Sequence, residues 1–158
     1  MAAPADRCVA DGPCTGADGG VVTSRAVPEF LSPAWFDALD EATRAVDGLT
    51  TTGDALVVEQ RVHAVPGRGD VVYHLVIDGD GARVVVGQAE SPTVVVETDH
   101  TTAVALALGT LNAQSALAAG RWRLHGTTGR LASHAALLQS IGDAFASLRS
   151  RTTFPGTP

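Results

Sequence analysis

Hydrophobic positions recur at helical spacing between Leu31 and Gly48, which predicts a first amphipathic helix. Ser32 is placed to cap the N-terminus of this helix, and Pro33 suits its first position. Leu31 and Phe36 flank the cap with the spacing of a hydrophobic staple. We therefore expect the apolar face of this helix to be core, with Gly48 as its stop signal.

The pattern changes between residues 55 and 98, which hold thirteen of the nineteen valines. Valine is branched at Cβ and favours strands. We predict four strands, at residues 55–64, 71–77, 82–87 and 93–98. Short connectors rich in glycine, proline and aspartate separate these strands, which predicts an antiparallel meander.

One face of the predicted sheet is apolar and the other is mixed. Val58 and Val62 of the first strand point to one side, while Glu59 and Arg61 point to the other. The fold class that fits is α+β, an antiparallel sheet of about five strands with helices packed on one face.

Helical patterns return after Asp99, a predicted N-cap. We expect helices over residues 100–108 and 111–119, a short strand at 122–125, and a last helix with apolar positions between residues 131 and 148. The helices are built largely from alanine. Small residues over a valine-lined sheet indicate either a thin, tightly filled core or a cavity that accepts apolar guests, and the sequence leaves both open.

A chain of 158 residues suits one domain. We place that domain at residues 28–151, with loosely attached tails at 1–27 and 152–158. The chain has no lysine, and its 11 arginines against 17 acidic residues give a net charge of -6. This charge argues against a nucleic-acid partner and against electrostatic docking on anionic lipid surfaces.

No apolar run approaches the roughly 18 residues of a membrane span, so stable membrane insertion is not expected. The first residues also lack the apolar stretch of a secretory signal. We therefore predict a cytoplasmic protein in which Cys8 and Cys14 are free thiols.

Candidate chemistry is sparse. The sequence has no nucleophile elbow, and its five histidines lack metal-ligand spacing. His63 and His74 are expected on the mixed face of the sheet, where solvated side chains are the simpler interpretation. The segment 78–81 fits a hairpin turn better than a calcium loop. We expect no catalytic residue, no metal and no cofactor, hence no enzyme; the alternative is an unrecognised enzyme with His74 or His134 as base.

The segment TDHTTAVALALGTLNAQSALAAGRWRLHG, residues 98–126, resembles the sterol carrier protein two-like domain, a sterol-binding family widespread in bacteria. The residues that carry the resemblance are Thr98, Asp99, Gly109, Asn112, Gln114, Ala116, Leu117, Ala119, Gly120, Arg121, Trp122, Arg123, Leu124 and Gly126. The resemblance extends over about residues 30–150. Trp122, where an aliphatic residue is usual, is one departure from the family pattern. Ala118 stands near a position often held by methionine, and Thr127 replaces the usual acidic or asparagine residue.

This resemblance implies non-covalent binding, and possible transfer, of an apolar lipid in a tunnel between sheet and helices. The lipid would be a fatty acyl chain, an acyl-CoA or a sterol-like molecule. The residues expected to line the tunnel are Val58, Gln60, Val62, Tyr73, Leu75, Val84, Val86, Val94, Val96, Leu106, Gln114, Leu117, Leu124, Leu138 and Ile141.

Three questions stay open at the level of the sequence. Gln60 and Gln114 could meet a lipid head group or cap backbone. Trp122 could face the tunnel and shorten it, or face outward. The same fold with a tunnel filled by Trp122 and Phe145 would be an interaction module, or a homodimer formed through the mixed face or an edge strand.

Overall fold

A computed structural model describes residues 27–155. The predicted N-terminal tail, including Cys8 and Cys14, lies outside the described residues except for Val27 at its end.

The first helix, α1 (Pro33–Arg44), begins where the sequence predicts. The Ser32 hydroxyl accepts a hydrogen bond from the Trp35 backbone N–H at 3.1 Å, so the N-cap is confirmed. Leu31 and Phe36 are both buried in one hydrophobic cluster, as a staple requires. The helix ends before Gly48, at Arg44.

Five strands form one sheet. They are β1 (Leu56–Val65), β2 (Gly69–Asp78), β3 (Gly81–Val86), β4 (Val94–Asp99) and β5 (Trp122–Gly126). Their spatial order is β3-β2-β1-β4-β5. The first three strands form the predicted antiparallel meander, and β5 is antiparallel to β4.

The prediction of a wholly antiparallel sheet is wrong, because β4 pairs with β1 in parallel. The segment between β3 and β4 does not make a hairpin turn but crosses β2 and β1 on the sheet's uncovered face. His74 Nδ1 donates to the Gly87 carbonyl at 2.8 Å, and the Glu59 carboxylate accepts from the Ala89 N–H at 2.7 Å. Side chains of the mixed face therefore hold the crossover that places β4 beside β1.

Helices supply the second layer. After α1, they are α2 (His100–Leu108), α3 (Ala113–Ala118), α4 (Thr128–Ser133) and α5 (Ala135–Arg149). The Asp99 carboxylate caps α2 by accepting from the Thr102 N–H at 2.8 Å, as predicted. The last predicted helix is interrupted at His134, which separates α4 from α5.

The first helix and the end of the chain close one side of the domain. α1 packs over β3 and against α5, and the Asp40 carboxylate accepts from the Val84 N–H of β3 at 2.8 Å. Residues 152–155, which the sequence assigns to the C-terminal tail, lie against the body of the domain. Thr153 forms a bridge with Glu29, and the Phe154 ring is 5.2 Å from that of Phe30.

Candidate functional site

The strand register builds one continuous apolar face beneath the helices. Val58 lies opposite Leu75 on one side and Val94 on the other. Gln60 lies opposite Tyr73 and Val96 in the same way. The predicted lining residues on this face are Val58, Gln60, Val62, Tyr73, Leu75, Val84, Val86, Val94, Val96 and Leu124. The structure thus brings all the predicted strand positions onto one surface.

An aliphatic cluster occupies one half of the space between this face and the helices. Its buried members are Leu49, Leu56, Val58, Leu75, Ile77, Ala82, Val94, Val96 and Ile141. Its partly buried members are Val46, Val84, Trp122, Leu124, Leu131, Leu137, Leu138 and Phe145. Lining positions from all five strands meet Leu138 and Ile141 of α5 here, and the layer that covers them stays partly open to solvent.

An aromatic cluster occupies the other half, around Trp35 of α1. The Trp35 ring lies 5.0 Å from Phe30, 5.2 Å from Phe36, 6.2 Å from Tyr73 and 6.0 Å from Phe145, between ring centroids. Trp35 is 2 % exposed, and Val62 and Tyr73 are buried in the same cluster. Burial raises the pKa of the Tyr73 phenol. The expectation that Trp35 and Phe36 anchor the first helix as core is confirmed.

Several predicted lining residues are not enclosed between the sheet and the helices. Val86, at the end of edge strand β3, is 60 % exposed, and Leu117 on α3 is 45 % exposed. Gln114 is also exposed, since Ala116 is the residue that α3 buries. Leu106 is half-buried on α2. The spacing of apolar residues does not tell which side of a six-residue helix faces the core, so the sequence does not reveal that Leu117 is exposed.

Trp122 faces the helical layer rather than the opposite side of the sheet. It lies opposite Thr98 on the helix-covered face and packs against the aliphatic cluster. Phe145 packs against both clusters. These side chains fill space that the predicted tunnel would use. An apolar groove of about 310 Å³ lies on the outer side of α1, lined by Ala38, Ala42 and Leu148 among others.

The residues that carry the family resemblance set backbone geometry. The Asn112 side chain caps α3 by accepting from the Gln114 N–H at 2.7 Å. Gly109 ends α2 with a left-handed φ of 73°. Gly126 has φ 100°, and a Cβ there would lie 2.6 Å from the Thr93 carbonyl oxygen. These motif residues therefore specify turns and caps around the site, while Trp122 and Leu124 of the same motif pack within it.

The opposite face of the sheet carries the charged groups. Glu59 is 1 % exposed, and its carboxylate accepts from Arg61 Nε at 2.7 Å as well as from Ala89. His63 pairs with Asp70 at 3.0 Å, and this hydrogen bond holds the pKa of the Asp70 carboxyl below its usual value. Sequence reasoning misses the burial of Glu59, because no local pattern predicts the crossover that covers it.

The two histidines considered as bases are held by backbone. His74 donates to Gly87, and His134 Nδ1 donates to the Arg130 carbonyl at 2.8 Å. Among residues 27–155, no group of three or more His, Cys, Asp or Glu side chains is arranged to hold a metal ion. Within the part of the chain that the structure describes, no helix has the length and apolar character needed to cross a membrane.

No family model and no curated protein matches the chain. Solved structures do match. The crystal structure of sterol carrier protein 2 is 25 % identical, covers 75 % of this chain and 98 % of its own, and superposes with a TM-score of 0.58. A conserved hypothetical protein from Thermus thermophilus, possibly a sterol carrier protein, is 24 % identical over 82 % of this chain and 94 % of its own, with a TM-score of 0.58.

A third structure is that of palmitated SCP2L2 from Aedes aegypti, which is 20 % identical over 66 % of this chain and 90 % of its own, with a TM-score of 0.52. Together with the mixed five-stranded sheet and its helical cover, these likenesses show an α+β domain with the fold of sterol carrier protein 2. The chain therefore has the fold of sterol carrier protein 2-like structures, the fold that the resemblance in its sequence implies.

Proposed function

We propose that this protein binds an apolar lipid between the covered sheet face and helices α3 to α5, without catalysis. The observation that carries the proposal is the aliphatic cluster, whose covering residues Leu131, Leu137 and Leu138 are only partly buried. A cluster that is apolar, contiguous and incompletely covered suits a flexible hydrocarbon guest. The palmitated protein of the same fold supports an acyl chain as that guest.

Two short helices of the covering layer bury few residues. α3 buries Ala116 alone, and α4 buries no residue. Neither α4 nor α5 has a side-chain N-cap hydrogen bond. Segments with few buried contacts open at low free-energy cost. We infer that these helices move outward to admit a lipid. The side chains of Trp122 and Phe145 would then shift, and the lipid would occupy the space they now fill.

The driving force is burial of apolar surface. Each buried methylene contributes about 0.8 kcal/mol, so a sixteen-carbon chain gains on the order of 12 kcal/mol before costs. Ordering of the chain and association remove several kcal/mol of this, which leads us to expect micromolar affinity. Gln60, half-buried between Tyr73 and Val96 on the covered face, is the polar residue we propose for a head group.

The first experiment is extraction of gently purified protein with organic solvent, followed by mass spectrometry beside a soluble control protein. We expect a defined acyl or sterol species at stoichiometric amount. Binding of a fluorescent fatty acid is then compared for Leu138→Asp, which places a charge in the aliphatic cluster, and Leu117→Asp, its matched control on exposed α3. We expect at least about tenfold weaker binding for the first and little change for the second.

A second measurement, tryptophan fluorescence, avoids placing a charged residue in the core. In a Trp35→Phe background, Trp122 is the one remaining tryptophan, and palmitate should change its fluorescence because its ring lies in the aliphatic cluster. A chain that carries no extracted lipid, shows no fatty-acid binding at tens of micromolar, and leaves Trp122 fluorescence unchanged would contradict lipid binding.

The second candidate function is an interaction or dimerisation module with a filled interior. The observation that favours it is the inward packing of Trp122 and Phe145. Edge strand β3, where Val85 and Val86 are exposed, would be the pairing surface of such a dimer. A stable dimer by light scattering, with no lipid uptake in either assay above, would favour this candidate.

A further inference from the structure

The apolar groove on the outer side of α1 begins where the described chain begins. Its floor is a stripe of small residues along α1 and its C-cap, namely Ala34, Ala38, Ala42 and Ala45. Leu148 of α5 also lines the groove, which has a volume of about 310 Å³. Val27, the first described residue, is part of the lining and is 58 % exposed. The residues that precede Val27 therefore join the domain at this groove.

A parallel bridge sets the direction in which the chain enters the domain. The Thr153 N–H donates to the Pro28 carbonyl, and the Phe30 N–H donates to the Thr153 carbonyl, each at 2.9 Å. In a parallel pairing both segments run the same way, so the residues before Pro28 continue beside the residues before Thr153. The latter are Arg151 and the end of α5, where Arg151 and Leu148 line the groove. The chain before Pro28 is therefore directed along the groove.

The segment that precedes the described residues suits this groove in length and in side-chain size. Pro28 favours an extended backbone at the residue before it. An extended segment rises about 3.3 Å per residue, so residues 21–26 would span about 20 Å, close to the roughly 18 Å of a twelve-residue helix such as α1. Alternate side chains of an extended segment share a face, which groups Val22, Ser24 and Ala26. These are small side chains, and a floor of alanines lets a backbone approach closely.

The charges of the segment and of the helix are also complementary. Arg25 is the one charged residue among residues 21–26. The first helix carries three carboxylates, Asp37, Asp40 and Glu41, against one arginine, and Glu41 lines the groove with its side chain exposed. Alternation places Arg25 on the opposite face of the segment from its small residues, so its guanidinium would reach the rim of the groove rather than the floor. An acidic helix attracts such a cation.

We propose that residues 21–26 bind in the groove as a strap across α1, with Val22 and Ala26 against the alanine floor and Arg25 beside Glu41. The strap would join α1 to the end of α5 and add a further layer to the aromatic side of the domain. A second copy of the chain or a free hydrocarbon would have to bind from solution, whereas the strap is tethered at Val27 and has a high effective concentration. The strap needs no lipid, so this inference does not rest on the proposed function.

Limited digestion of the full chain with trypsin tests the strap. The chain has no lysine, and Arg7 and Arg25 are the two arginines before the described residues. Mass spectrometry of samples taken over time gives the rate of cutting after each arginine. A docked segment is cut only while it is released, so we expect cutting after Arg25 to be at least about tenfold slower than cutting after Arg7.

Two variants release the strap from opposite sides. Ala42→Gln places a longer side chain in the groove floor and keeps a good helix former, and Val22→Asp places a charge on the apolar face of the segment. We expect each to speed cutting after Arg25 by at least about tenfold and to leave cutting after Arg7 unchanged. Ala146→Gln is the matched control, since it makes the same change at an exposed position of α5 that does not line the groove. It should be cut like the wild type.

Four results would overturn the proposal. Equal rates of cutting after Arg7 and Arg25 in the wild type would mean that no strap is docked. Slow cutting after Arg25 that persists in both Ala42→Gln and Val22→Asp would mean that closeness to the folded domain alone restrains the protease. Protection of Arg25 that grows with protein concentration would assign the groove to a second copy of the chain. Loss of protection on addition of palmitate would assign the groove to a hydrocarbon.

Discussion

The aromatic and aliphatic clusters share one face of one sheet, yet they are closed in different ways. The aromatic cluster is covered by a twelve-residue capped helix and by both ends of the described chain, which meet at Glu29 and Thr153. The aliphatic cluster is covered by Leu131 of α4, a six-residue helix, and by the α5 residues Leu137, Leu138, Ile141 and Phe145. The core thus changes from mainly aromatic rings to mainly branched side chains where the covering residues change from buried ones on α1 to mostly partly buried ones on α4 and α5.

This difference separates rigidity from adaptability. Aromatic rings stabilise each other in preferred orientations, such as the edge-on contact of Trp35 with Phe30 at an interplanar angle of 76°. Aliphatic side chains attract through dispersion and loss of apolar surface to water, and neither effect has a preferred direction. A hydrocarbon guest can therefore replace aliphatic contacts at small cost but cannot replace the contacts of the ring cluster. The comparison predicts that damage to the two clusters has unequal effects.

The largest expected effect is on stability, from the two tryptophans. Trp35→Ala removes the centre of the aromatic cluster and should lower the free energy of unfolding by about 3–5 kcal/mol. Trp122→Ala removes a ring that is only partly buried, and should cost about 1–2 kcal/mol. Urea unfolding followed by far-UV circular dichroism measures both. Equal losses would mean that the two clusters are equally rigid.

The sequence predicts the parts of this fold that depend on local chemistry. The cap at Ser32, the cap at Asp99, the meander of β1 to β3 and the apolar stripe on the sheet all follow from residue spacing. The parallel pairing of β4 with β1 does not, because it depends on a crossover held by Glu59 and His74 from strands far away in the chain. A short connector has no local signal that distinguishes a turn from a crossover.

The candidate site is predictable on the strands and less so on the helices. Strand alternation fixes the face of every residue once one is assigned, so Val58, Val96 and Leu124 can be grouped from sequence. The face of a short helix depends on how it docks. The apolar character of their segment predicts that Leu117 and Gln114 point inward, and the structure exposes both. Because both side chains are exposed, we no longer expect Leu117 or Gln114 to contact a lipid inside the domain.

A smaller effect is expected from the two helix caps. Ser32→Ala removes the cap of α1 and should lower the global free energy of unfolding by about 1 kcal/mol, because α1 is part of the rigid cluster. Asn112→Ala removes the corresponding cap of α3. Since α3 buries only Ala116, we expect it to open locally and the global loss to stay below about 0.5 kcal/mol. Hydrogen exchange should instead become faster at the amides of α3. A global loss in Asn112→Ala that matches Ser32→Ala would show that α3 unfolds together with the sheet.

A buried histidine gives the aromatic side a dependence on pH. His100, at the start of α2, is 8 % exposed, its Nε2 has no hydrogen-bond partner among the described residues, and its ring centroid lies 6.2 Å from that of Phe30. Burial lowers the pKa of His100, and the neighbouring Asp99 carboxylate opposes this in part. The unfolded chain therefore takes up this proton at higher pH than the folded chain does. The contribution of neutral, buried His100 to the free energy of unfolding is complete above about pH 6.5 and declines as the pH falls below that value.

The smallest effect we expect follows from this titration. Between about pH 7 and pH 5, the wild type should lose stability faster than His100→Gln, as measured by thermal unfolding at each pH. The pKa values of Asp70, Asp78 and Asp99 are lowered, so these carboxylates change stability only below about pH 4. They therefore do not obscure the effect of His100 between pH 7 and pH 5. Parallel stability curves for the two proteins would mean that His100 is charged as easily in the fold as outside it, and that the aromatic side is more open to water than its packing indicates.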